Sequence, residues 1–109
     1  MVEVTVDAFH TIGSGDAFPS DFVVPCYLQE RKLRVSIARV EERLYAFDDL
    51  CTHAYCSLAE GDLEGATVVC ACHLGTYDLT TGEVLDGPPP DPIAVYPVTE
   101  VDGELLVEL

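Results

Sequence analysis

Residues 51–56 read Cys-Thr-His-Ala-Tyr-Cys and residues 70–73 read Cys-Ala-Cys-His, so four of five cysteines and two of three histidines sit in two short clusters. No other feature limits the fold as much. Taken as ligands, they form Cys51-x-His53, sixteen intervening residues, and Cys70-x-x-His73. Such short spacings place both members of a pair on one tight loop. Two loops, each ending a hairpin, must then close on one point from opposite sides. Three chemistries compete for this constellation: a disulfide framework, a structural zinc site and a redox cluster.

The surrounding sequence supplies strands and turns. Val2–Val6, Leu33–Val40 and Leu44–Phe47 alternate apolar and polar residues, the period of a half-buried strand. Thr67–Val69 runs directly into the second cluster, and Ile93–Val98 leads to Val101-Asp102-Gly103-Glu104 and a closing Leu105-Leu106-Val107. Asp-Gly between two apolar runs predicts a type I′ hairpin, which needs positive φ at both positions. Gly61–Gly65 and Thr80–Glu83 are expected to be further tight turns. No window holds a capped helical period, so Leu58-Ala59-Glu60 is expected to form one turn at most. The expectation is a small antiparallel all-β protein. At 109 residues it reads as a single domain, 1–109, long enough to bury roughly 60–70% of its unfolded surface without a staple. Gly87-Pro88-Pro89-Pro90-Asp91-Pro92 is a stiff connector that cannot join a central ladder, placed where it can cover a neighbouring loop.

Charge excludes several partners. Twenty acidic residues face five basic ones, and all five, Arg31, Lys32, Arg34, Arg39 and Arg43, fall in one stretch of thirteen residues. From Leu44 onward there are thirteen carboxylates and no Lys or Arg, and both clusters lie in that half. A field this negative repels nucleic acid and anionic membranes and attracts basic protein surfaces. The opening MVEVTVDAFH has neither a basic n-region nor an apolar run, and no stretch approaches a membrane span. A cytoplasmic location is expected. Asp48, Asp49, Glu60 and Asp62 flank the first cluster and are expected on a solvated face, available as docking charges.

Zinc modules usually draw two like ligands from each loop, whereas each loop here offers one Cys and one His. A mixed pair suits a two-iron cluster in which one iron takes both thiolates and the other both imidazoles. At this point the chain resembles the Rieske [2Fe–2S] proteins, through Cys51-Thr52-His53 and Cys70-Ala71-Cys72-His73. Similar stretches run from about Arg34 to Leu109: LYAFDDLCTH, SLAEG, TYDLTTGEVLDGPP and IAVYPVTEVDGELLV. The likeness is greatest to the small ferredoxins of bacterial aromatic ring-hydroxylating oxygenase systems.

That resemblance implies a base domain with two hairpin loops, a cluster-binding region of about 48–92, and one [2Fe–2S] cluster per chain. Cys51 and Cys70 would hold one iron, and His53 and His73 the other, with the imidazoles as the electron exit. It also implies a Cys56–Cys72 disulfide, seen in the respiratory members, against the alternative of two thiols kept reduced by the cytoplasm. High-potential members carry a Ser two residues after the second His and a Tyr four after it. Here those positions are Gly75 and Tyr77, so a low-to-middle potential within the family's range of roughly −150 to +300 mV is expected. Leu74 and Tyr55 would rim the imidazoles. Cys26 is expected to be a small core residue, and His10 a surface or capping residue. The implied role is an electron carrier, not an enzyme: a monomer that takes single electrons from a flavin-dependent ferredoxin reductase and passes them to a terminal oxygenase. The alternatives are a respiratory-type Rieske fragment, a nitrite reductase small subunit, or a zinc-binding adaptor.

Overall fold

The computed structural model describes residues 9–28, 32–52, 56–72, 75–87 and 91–108. The expected strand at Val2–Val6 lies outside them. Eleven strands fill the described residues: β1 (Phe9–Ser14), β2 (Val23–Leu28), β3 (Leu33–Val40), β4 (Arg43–Asp48), β5 (Asp62–Glu64), β6 (Thr67–Val69), β7 (Thr76–Asp78), β8 (Val84–Asp86), β9 (Val95–Tyr96), β10 (Val98–Val101) and β11 (Glu104–Glu108). The only helical pieces among the described residues are two 3₁₀ turns, Gly15–Ala17 and Leu58–Glu60. The second occupies the position foreseen for a single turn. No helix among the described residues is long and apolar enough to cross a membrane.

Three antiparallel sheets form, ordered β1-β11-β10, β2-β3-β4-β9 and β5-β6-β7-β8. The middle sheet is apolar on both faces. Val35, Ile37 and Ala46 point into a core shared with Phe18, Leu105 and Val107. Ala38 and Phe47 point the other way, into a second core with Leu58, Val68, Tyr77, Leu79 and Ile93. The alternation of β3 suggests one solvated face, yet Ser36 and Ala38 are as buried as Val35 and Ile37. The third sheet covers them. Arg39 stitches the layers at one edge, its Nε donating to the Phe18 carbonyl at 2.8 Å and its guanidinium pairing with Glu100 at 3.3 Å.

The turns follow from backbone chemistry. Asp102 and Gly103 have φ of 51° and 82°, the positive pair that the β10–β11 hairpin was expected to need. The β3–β4 hairpin uses the same geometry at Glu41 and Glu42, φ 50° and 68°, residues that give no turn signal in sequence. The turn foreseen over Gly61–Gly65 is corrected. Asp62–Glu64 is a strand paired to Thr67–Val69, and only Gly65 and Ala66 make the turn, because Leu63 packs against the second core. Gly61 is required for another reason: a Cβ there would collide with the Val69 carbonyl oxygen. The run Ile93–Val98 is split at Pro97, where the chain leaves β4 and joins β11. A residue without an N–H suits that change of sheet.

Candidate metal centre

Two loops leave the second core, and they are built alike. In the first, the Leu50–Ser57 bridge closes the neck and the Cys51 N–H donates to the Cys56 carbonyl at 2.9 Å. In the second, between β6 and β7, the Cys70 N–H donates to the Gly75 carbonyl at 2.7 Å. Each loop therefore opens on a cysteine whose amide is tied to the carbonyl five residues on. Both cysteines are fully buried and belong to the second core, so each thiol is fixed at the root of its loop. Neither is in a disulfide.

Cys56 and Cys72 are joined by a disulfide with a Cα–Cα separation of 6.4 Å, which links the two loops directly. The sulfurs of Cys56, Cys70 and Cys72 lie within 4.8 Å of one another. They are not a metal triad, because two of the three are oxidised together. Of the four cysteines in the two loops, Cys51 and Cys70 are the two outside the bridge. His53, His73, Tyr55 and Leu74 lie outside the described residues.

The surroundings of Cys51 suit a sulfur that carries negative charge. Tyr77, on β7, is fully buried, and its hydroxyl sits 3.2 Å from Cys51 Sγ. Burial first, and then the neighbouring Cys51, push the Tyr77 phenol above its ordinary range, so it stays a protonated donor. The same oxygen receives the Thr52 N–H at 3.2 Å and lies 3.0 Å from Thr52 Oγ1. Thr52 Oγ1 donates in turn to the Asp91 carbonyl at 2.8 Å, binding the end of the proline-rich segment to the first loop. Gly75 is buried and offers no side-chain donor.

Four carboxylates were expected on a solvated face, and the structure corrects one of them. Asp49 is fully buried. It accepts from Ser36 Oγ at 2.5 Å, Ser57 Oγ at 2.7 Å, the Ala59 N–H at 3.0 Å and Arg34 Nε at 2.8 Å. A buried charge needs such a set of donors, and these reach it from β3 and from the start of the 3₁₀ turn. Asp48 is half-buried and accepts from Tyr96 at 2.5 Å, while Glu60 and Asp62 are exposed. Leu50, beside Cys51, is 41% exposed, a position no sequence pattern marked. Cys26 is half-buried at the margin of the first core, where burial raises its thiol pKa.

The family described as Rieske [2Fe–2S] domain matches residues 9–97. Among individual proteins, the anthranilate 1,2-dioxygenase ferredoxin subunit of Burkholderia cepacia is 33% identical over 109 residues, covering 100% of this chain and 99% of that one. A ferredoxin of Sphingomonas yanoikuyae B1 superposes with a TM-score of 0.85 at 27% identity, over 92% of this chain and 97% of that one. A chain from a complex of reduced oxygenase and oxidized ferredoxin in carbazole 1,9a-dioxygenase superposes with a TM-score of 0.84 at 26% identity, over 93% of both.

Proposed function

The chain belongs to the Rieske [2Fe–2S] domain family, and from that premise we propose that Cys51 and Cys70 hold one iron and His53 and His73 the other. The protein is an electron carrier of the ferredoxin kind, not itself a catalyst. Such a cluster supplies reversible one-electron oxidation and reduction. The protein's own share is to bury both thiols, fix them by the paired amide bonds, and place the Tyr77 hydroxyl against Cys51. The observation that carries the ligand assignment is the twin geometry of Cys51 and Cys70, each heading a loop of the same construction.

The partners follow from charge and from the named relatives. A flavin-dependent reductase delivers the electron, and a terminal oxygenase acting on an aromatic substrate receives it through the imidazole end. Relatives of this length carry the names of ferredoxin subunits of anthranilate, biphenyl and naphthalene dioxygenase systems. Encounters are brief and steered by the acidic surface toward basic patches. The chain works as one cluster-bearing domain, a monomer in the cytoplasm.

Visible absorption and low-temperature EPR, before and after dithionite, test the ligand set. A red-brown protein whose reduced form gives a rhombic signal averaging well below g = 2 supports two thiolates and two imidazoles. Cys51→Ser and His73→Ala should each abolish that signal; its survival in either variant removes that residue from the ligand set. The Cys56–Cys72 bridge favours a respiratory-type relative as the second reading. A midpoint near the top of the family's range would support that reading, and a low-to-middle value the oxygenase ferredoxin.

A further inference from the structure

Tyr77 has one hydroxyl proton and three polar neighbours, and their chemistry limits where that proton can go. The Thr52 N–H only donates, so at 3.2 Å it occupies a lone pair of the phenol oxygen. That leaves Cys51 Sγ at 3.2 Å and Thr52 Oγ1 at 3.0 Å as competing acceptors. Thr52 also has a single proton, and the Asp91 carbonyl, 2.8 Å away, is an acceptor only.

Two arrangements put a proton between Tyr77 and Thr52 Oγ1, as a 3.0 Å contact between two hydroxyl oxygens requires. With the Thr52 proton on Asp91, Thr52 Oγ1 can only accept from Tyr77, and Cys51 loses the phenol proton. With the Thr52 proton turned to Tyr77, the phenol proton is free for Cys51, and the exposed Asp91 segment leaves its carbonyl to water. The arrangements differ in whether the sulfur receives the hydrogen bond of the phenol. A hydrogen bond to a ligating sulfur favours the more negative, reduced state and so raises the potential.

We propose that Thr52 is a positioning residue that sets the reduction potential by competing with Cys51 for the single proton of Tyr77, with the Asp91 carbonyl deciding the competition. The proposal rests on the assignment of Cys51 as a ligand. Its consequence is that a displacement of the Asp91 segment changes the potential without any contact to the iron.

The test is the midpoint potential of the cluster-loaded protein, followed by visible circular dichroism, for Thr52→Val, Thr52→Ser, Tyr77→Phe and the Thr52→Val/Tyr77→Phe pair. Valine keeps the shape of threonine and removes the competing acceptor, so the potential should rise. The expected limit is about tenfold in the reduced-to-oxidised ratio at fixed potential, or about 59 mV for one electron. Serine should restore the parent value. Tyr77→Phe should lower the potential, and in that background Thr52→Val should have no further effect. Resonance Raman gives an independent readout: the Fe–S(Cys) stretches should shift more between H₂O and D₂O in Thr52→Val than in the parent, and least in Tyr77→Phe. Where Thr52→Val does not take up iron, Thr52→Ala carries the same test. An unchanged or lowered potential in Thr52→Val, or a rise that persists without the Tyr77 hydroxyl, overturns the proposal. Absence of the rhombic EPR signal from the parent protein would instead remove the ligand assignment beneath it.

Discussion

Asp49 shows how much one side chain can organise beside a metal loop. Its carboxylate collects two serine hydroxyls, a backbone N–H and a guanidinium, and its own carbonyl accepts the Leu58 N–H at 2.6 Å. Removing it strands the Ser36 and Ser57 hydroxyls in the core, while Arg34, 46% exposed, keeps its access to water. Asp49→Ala should therefore cost about 2–4 kcal/mol, read as a fall in the chemical-denaturation midpoint and in iron content. Asp48→Ala, which loses only the Tyr96 hydroxyl, should cost about 1 kcal/mol. In sequence the two aspartates are adjacent and look equivalent, because burial of a charge depends on donors brought from β3 and from residues 57–59. The Cys/His pairs stood out for the opposite reason: their spacing suggests a chemistry, while a buried carboxylate has no spacing of its own. Thr52 was likewise invisible, an unremarkable residue between Cys51 and His53 until the fold sets Tyr77 and Asp91 against it.

Elements in this chain are held by short-range devices, and each can be loosened separately. The Cys56–Cys72 bridge closes a loop with a sequence separation of 16, which by chain entropy is worth about 3 kcal/mol. The Cys56→Ser/Cys72→Ser pair should lose about that much in thermal unfolding, and a thiol reductant should destabilise the parent but not the variant. The β3–β4 turn works in the other direction. Glu41 and Glu42 both adopt positive φ, a conformation that costs a residue with a Cβ about 1 kcal/mol or more. Glu41→Asn/Glu42→Gly should raise stability by about 1–2 kcal/mol by urea denaturation. The β7–β8 turn gives a pH signature. Thr80 donates to Asp78 through its N–H at 2.9 Å and Oγ1 at 2.6 Å, and these bonds hold the carboxyl below its ordinary range. A depressed folded pKa gives stability that is present above the unfolded value, about 3.9, and is lost as pH falls through the folded one. Asp78→Asn should thus be destabilising at pH 7, with the gap to the parent closing below about pH 4. Strands with a clear alternation, such as β3, were legible in place. The strands β5, β7 and β8, of three residues each, were not, because so short a segment has no period to detect and is set by its neighbours.

At the scale of the whole molecule, formal charge of −15 is the dominant long-range property. It predicts that electron transfer to a basic partner slows as ionic strength rises from about 0.01 to 0.1 M, where the screening length falls from about 30 to about 10 Å. Rates followed by stopped-flow absorbance that ignore salt over this range would remove electrostatic steering from the account. The charge was read directly from composition. The two-core architecture was not, since nothing in β3 or β4 says that a third sheet will cover their second face. That architecture is what roots both cysteine loops in packed interior, with amide clasps at their bases and a covalent bridge between them. An electron hop is slow when nuclei must rearrange to accept the new charge, and surroundings set beforehand need little rearrangement. Loops fixed in this way leave the backbone little to do when an electron arrives. The protein should accordingly have a small reorganisation energy, read as rapid electron exchange between its own oxidised and reduced copies once high salt screens the repulsion between them.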